Sequence, residues 1–117
     1  MNLPPGISPW VDSFPAEIIV CDADGLILEM NATAIRLYAA VGGAALIGRN
    51  VFDHHAEPAR SQVQAAAAAR QTIIYTTEKA GAKKLVCIAP WEQAGEYAGF
   101  VLLVLDLPAG MRNIVKD

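Results

Sequence analysis

Apolar and polar positions alternate along this chain in two distinct rhythms. Residues 17–21 (Glu-Ile-Ile-Val-Cys) and 26–30 are short apolar runs on either side of Asp22-Ala-Asp-Gly25. Two such runs around an Asp-Gly turn predict a β-hairpin. Ala34, Ile35, Leu37, Tyr38 and Val41 then recur at helical spacing, so a short helix is expected over 32–40 with Asn31 as its cap. Gly42 and Gly43 stop it, and 44–51 is expected to be an irregular, tightly turned connection. A longer helix should open at Glu57-Pro58 and run to about Arg70, because Pro is tolerated in a first turn and the Ala65 to Ala69 run has high helix propensity. Strand patterning returns over 71–79, 83–91 and 97–107, with turns at Gly81 and at 93–95 and a stop at Pro108 and Gly110. Ahead of all this, a Pro-rich lead-in over 1–9 precedes Trp10, Val11 and Phe14, a brief helix or turn.

Strand side chains alternate between faces, and in the last strand Phe100, Leu102 and Val104 point one way while Val101, Leu103 and Leu105 point the other. Neither set is polar, so both faces of the sheet need a cover. The helices between the second and third strands can supply one. The other falls to the segment around Trp10 and Phe14, to a second copy of the chain, or to a partner protein. The expectation is one α+β domain with a central antiparallel sheet, divided as a flanking segment 1–16, a body 17–108 and a tail 109–117.

At 54% hydrophobic and 18% charged residues over 117 positions, the chain has the composition of a folded domain. Its net charge of -3 argues against nucleic-acid partners, which need Lys and Arg clustered on one face. No basic residue precedes Arg36, so no secretory signal is expected, and the run from Phe100 to Leu105 is too short to span a membrane. A cytoplasmic protein follows, in which Cys21 and Cys87, both inside apolar runs, serve as small hydrophobes rather than a disulfide. Ser13 and Ser61 lack a nucleophile-elbow context, Asp22 and Asp24 belong to a turn, and no Cys/His spacing suits zinc. Neither a catalytic nor a metal site is expected.

The order of these elements, together with Ile18-Ile-Val-Cys-Asp-Ala-Asp-Gly25, Leu26 to Ala32, Leu46-Ile-Gly-Arg-Asn-Val-Phe52 and Gly95-Glu-Tyr-Ala-Gly-Phe-Val101, resembles the PAS sensory domain across 17–107. The resemblance implies a five-stranded antiparallel sheet with helices on one face, an N-terminal segment flanking the other, and a pocket for a small ligand or cofactor between sheet and helices. It also implies dimerisation or contact with a partner signalling protein. The chain ends ten residues after Leu107, so no output domain is expected within it. Gly48-Arg-Asn50 is similar to part of the flavin signature of light-sensing PAS domains, but Val51 stands where the adduct-forming Cys would be, and no flavin photoadduct is expected.

Candidate pocket residues are Tyr38 on the first helix and Tyr75, Thr77, Cys87, Trp91 and Leu103 on the central strands. A filled core with satisfied Tyr hydroxyls is the alternative. His54 and His55 are adjacent, so at most one faces a pocket, where a neutral imidazole can ligate haem iron. Otherwise one caps the following helix region and the other is solvated. Arg60 is placed either to hold an anionic ligand or to pair with Glu57. Two functions stay open: a sensory module that binds a small ligand and signals through dimer or partner contacts, and a ligand-free protein-interaction domain.

Overall fold

The computed structural model describes residues 7–117. It shows α1 (Pro9–Ser13), β1 (Glu17–Asp22), β2 (Ile27–Met30), α2 (Ala32–Leu37), three 3-10 turns (Ala39–Val41, Gly43–Leu46 and Val51–His54), α3 (Ala59–Ala69), β3 (Ile73–Lys79), β4 (Ala82–Gln93) and β5 (Glu96–Leu107). The strands form one antiparallel sheet in the order β2-β1-β5-β4-β3. The expected hairpins are both present. The lead-in over 1–6 lies outside the described residues.

Local chemistry accounts for the breaks. At the first hairpin the Asp22 carboxylate accepts from the amides of Asp24 and Leu26, both at 2.9 Å, reinforcing the backbone bonds from Asp22 N to the Leu26 carbonyl and from Gly25 N to the Asp22 carbonyl. Leu26 itself leaves the strand and bridges to Asn50, so β2 is shorter than the apolar run suggests. The helix expected over 32–40 stops at Leu37 and tightens into 3-10 turns before Gly42 and Gly43, both at positive φ. At α3, Pro58 offers no side-chain cap, and the Glu57 carboxylate takes that role by accepting from the Ser61 amide at 3.0 Å and from the Ser61 hydroxyl.

Asn31 ties three elements together from a fully buried position. Its Oδ1 accepts from the amides of Ile18 and Ala34, each at 3.0 Å, and its Nδ2 donates to the carbonyls of Val11 and Ala16 at 3.0 and 2.8 Å. Asp12 adds a bond from α1 to the Ala32 amide, and Thr33 Oγ1 donates to the Phe14 carbonyl. The N-terminal helix is thereby fixed at the entrance of α2, with Trp10 69% exposed and Ile7 and Asp12 beside Leu28 and Glu29 of β2.

The core fills the inner face, where Ile19 and Cys21 of β1, Met30 of β2, Val86 and Ile88 of β4, and Phe100 and Leu102 of β5 meet Ala34, Leu46, Val51, Val63 and Ala66. Phe52 stacks on Phe100 with centroids 6.1 Å apart. Burial pushes the Cys21 thiol up to about 12, as a packed hydrophobe requires. On the outer face the register aligns Ile74, Cys87, Leu103 and Ile18 in one row across β3, β4, β5 and β1. That row stays partly exposed, and Ile74 is 60% accessible.

Candidate functional site

Strand parity places a charged residue where an apolar one would be expected. Glu17 opens β1 on the same face as Ile19 and Cys21, opposite Val104 of β5, and is only 5% exposed. Lys84 likewise shares the inner face of β4 with Val86 and Ile88. Between this end of the sheet and the helical layer lies a cavity of about 200 Å³, with Glu17, Tyr38, His55, Tyr75, Thr77 and Lys84 as its polar lining. Val63, Val86, Leu102 and Val104 form its apolar wall. A larger cleft of about 460 Å³ between Phe52, α3 and Tyr97 is open to solvent, and the Arg70 guanidinium lies 4.3 Å over the Tyr97 ring at its edge.

The polar groups of the cavity form a chain. The Tyr38 hydroxyl, delivered just after α2, donates to Glu17 Oε2 at 3.4 Å and lies 3.5 Å from His55 Nε2. His55 Nδ1 is 3.0 Å from the Val51 carbonyl, which only accepts, so Nδ1 carries the proton and Nε2 of the neutral ring is an acceptor. Burial pushes the Glu17 carboxyl up to about 7, offset in part by the Lys84 charge and the Tyr38 hydroxyl. Desolvation and the neighbouring Glu17 raise the Tyr38 phenol, and burial also raises Tyr75. Lys84 reaches outward to Asp106 of β5 at 3.7 Å.

Of the residues singled out from the sequence, Tyr38, His55, Tyr75 and Thr77 come together on this cavity. Cys87, Trp91 and Leu103 do not: Cys87 lies between the inward-facing Val86 and Ile88, and Leu103 between Leu102 and Val104, so the pleat turns both outward. Trp91 covers Val20, Leu28 and Val101 on that outer face, with its Nε1 donating to the Cys21 carbonyl at 2.9 Å. His54 ends the 3-10 turn off the cavity lining. Arg60 is exposed, and its Nε donates to the His55 backbone carbonyl at 3.0 Å instead of pairing with Glu57, which is engaged by Ser61. Glu17 and Lys84 are the polar cavity residues that the sequence reading missed, along with the apolar wall. Their strand parity, matching that of Ile19 and Val86, was the available signal.

The cavity does not fit a porphyrin as it stands. A space of 150 Å³ admits benzene, so about 200 Å³ holds a ligand of only a few more heavy atoms. The one imidazole lining it has both ring nitrogens facing polar partners. Among the described residues no group of three or more His, Cys, Asp or Glu side chains is placed to hold a metal ion. No helix there is long and apolar enough to cross a membrane.

Comparison with known proteins places this architecture. A sensory box sensor histidine kinase from Vibrio cholerae superimposes with a TM-score of 0.66 at 14% identity, over 84% of this chain and 86% of that one. The PAS domain of the histidine kinase ThkA gives 0.66 at 19% identity, over 78% and 98%. The Aer2 receptor from Vibrio cholerae, described as a dual PAS-heme oxygen sensor, gives 0.55 at 21% identity, over 80% and 95%. At these identities the likeness is one of fold. No curated protein matches the sequence. The sequence does match the PAS fold over residues 11–109, from α1 to beyond the end of β5, and the chain belongs to the PAS family.

Proposed function

We propose that this domain is a non-catalytic sensory module that holds a small ligand between sheet and helices and passes its state on through contacts of the outer sheet face. The observation that carries the reading is the cavity itself. A well-filled core keeps few voids larger than a water molecule and buries charge only with a partner. Here a cavity of about 200 Å³, open to solvent at the rim formed by Thr77 and Lys84, is lined at its inner end by a buried carboxylate whose one side-chain hydrogen bond among the described residues is a long one from Tyr38. Apolar walls with a few convergent polar groups are the usual make-up of a small-molecule site. Tyr38, His55, Tyr75 and Thr77 would line it together with Glu17 and Lys84.

The outer face supports the second half of the reading. Ile18, Leu103, Cys87 and Ile74 align across four strands, flanked by Val20, Val101 and Leu105, and no polar side chain interrupts that row. A second copy of the chain or a partner signalling protein in the cytoplasm would cover it, within a unit bounded by about 17–108. The test is native mass spectrometry after mild purification, alongside an absorbance scan from roughly 300 to 700 nm for haem or flavin. The reading expects a retained small mass that disappears in Thr77→Trp, which fills the rim of the cavity from an exposed position. A bare polypeptide mass in both proteins would favour a ligand-free interaction domain.

A further inference from the structure

Glu17 specifies what kind of molecule the cavity would take. A carboxylate 5% exposed needs a cation or several donors to remain charged. The nearest cation, Lys84, has its side chain 41% exposed at the rim and is already directed to Asp106 at 3.7 Å. The groups facing Glu17 are otherwise acceptors or hydroxyls: Tyr38 after α2, His55 after the third 3-10 turn, and Tyr75 and Thr77 on β3. With Nδ1 donating to the Val51 carbonyl, Nε2 of the neutral His55 ring is an acceptor. One carboxylate, one imidazole and three hydroxyls that both donate and accept thus face the space, with its single cation turned to Asp106. An ammonium group, with three donors and one positive charge, complements it, whereas an anion would meet the Glu17 carboxylate.

Resting on the reading that the cavity holds a ligand, we infer that this ligand is a small aliphatic ammonium. Its charge pairs with Glu17 and the hydroxyl of Tyr38 or Thr77, and its alkyl body lies against Val63, Val86, Leu102 and Val104. The volume admits about six heavy atoms or a few more, since benzene with its six already fits a 150 Å³ cavity. Such an amine stays protonated below about pH 10, so the pH dependence of binding comes from the protein. Burial holds the Glu17 proton until about pH 7, and the ammonium has to displace it. Affinity should therefore rise with pH and level off above 7.

The test is calorimetric titration of the full chain with isopentylammonium, its neutral isostere isopentanol, and the anion isovalerate, each at pH 6 and pH 8. The expected result is isopentylammonium binding at least tenfold more tightly than isopentanol at pH 8. Binding should be about tenfold weaker at pH 6, the ratio of ionised Glu17 for a carboxyl titrating near 7. Glu17→Gln should remove both the preference and the pH dependence; if that variant does not fold, the two wild-type comparisons decide. Equal binding of isopentanol, tighter binding of isovalerate, or ammonium binding that does not change with pH overturns the inference. Isopentanol binding alone would do so while leaving a ligand cavity in place. Failure of all three probes also overturns it, and the retained mass sought above then decides separately whether the cavity holds a ligand.

Discussion

The Tyr38 hydroxyl donates to Oε2 of the buried Glu17 at 3.4 Å, joining the first residue of β1 to the end of α2. With Nε2 of the neutral His55 ring 3.5 Å away, one hydroxyl proton has two acceptors to choose between. When Glu17 is ionised, Tyr38 points its proton at the carboxylate. When Glu17 is protonated, the carboxyl can donate to Tyr38, freeing the phenol proton for His55. The charge of one buried group is thereby felt at the turn that precedes α3, where Arg60 holds the His55 carbonyl at 3.0 Å.

Protein stability should carry the mark of this carboxyl. Its pKa is raised from 4.5 to about 7 on folding, so the native state binds the proton more tightly than the unfolded chain. That stabilisation is complete below about pH 4.5 and is lost as pH rises through 7. Urea unfolding of the ligand-free protein should show stability falling by up to about 1.4 kcal/mol per pH unit in this window, roughly 3 kcal/mol in all. In Glu17→Gln this slope should vanish; an unchanged slope would place its origin elsewhere.

Asn31 should prove among the least replaceable polar residues. Asn31→Ala leaves the amides of Ile18 and Ala34 and the carbonyls of Val11 and Ala16 without their partner in a buried place. A loss of about 2–4 kcal/mol is expected. Thermal melts should fall by on the order of 10 °C or more. A loss below about 1 kcal/mol would mean that water replaces the side chain.

Gly99 marks a close backbone approach between β5 and β1. A Cβ there would collide with the Cys21 carbonyl and stand 2.7 Å from the Asp22 Cα, at a φ of +155°. Gly99→Ala should cost about 3 kcal/mol or more, because backbone on a paired strand cannot retreat. Gly110→Ala, with nothing within 4 Å of the added carbon, should be neutral by comparison. Chemical denaturation of the two variants side by side makes the check.

The outer row predicts association. Leu103 sits at its middle, between Cys87 and Ile18, so in a two-fold dimer Leu103→Lys would place two charges near the axis. Sedimentation velocity at tens of micromolar should show wild-type dimers, with Leu103→Lys weakening them by on the order of 3 kcal/mol, roughly a hundredfold. Wild-type monomers at that concentration would turn the face towards a different protein.

Most of the fold was legible because its determinants are local. The Asp22 turn, the Asn31 cap and the β-branched strands each declare themselves within a few residues. The cavity was less so. Period-two patterning shows that Cys87 and Val86 face opposite ways, but in a sheet apolar on both faces it does not say which of them faces the helices. Three candidates on the central strands therefore landed outside. Glu17 was hidden for a related reason: at the head of a strand a carboxylate reads as a solvated end, and only the tertiary meeting of β1, β5 and Tyr38 buries it. Arg60 and Glu57 pair with neighbours, His55 and Ser61, that helical spacing alone does not rank above one another.

The central claim is that the Glu17 cavity is where this domain meets a small molecule. It is tested most directly by ¹H–¹⁵N correlation spectra of labelled protein titrated with the low-molecular-mass fraction of a cell extract. The account predicts amide shifts clustered at Glu17, Tyr38, His55, Thr77 and Val104, and their loss in Thr77→Trp. Spectra that do not change, or shifts confined to Ile74, Cys87, Leu103 and Ile18 on the outer face, would contradict it.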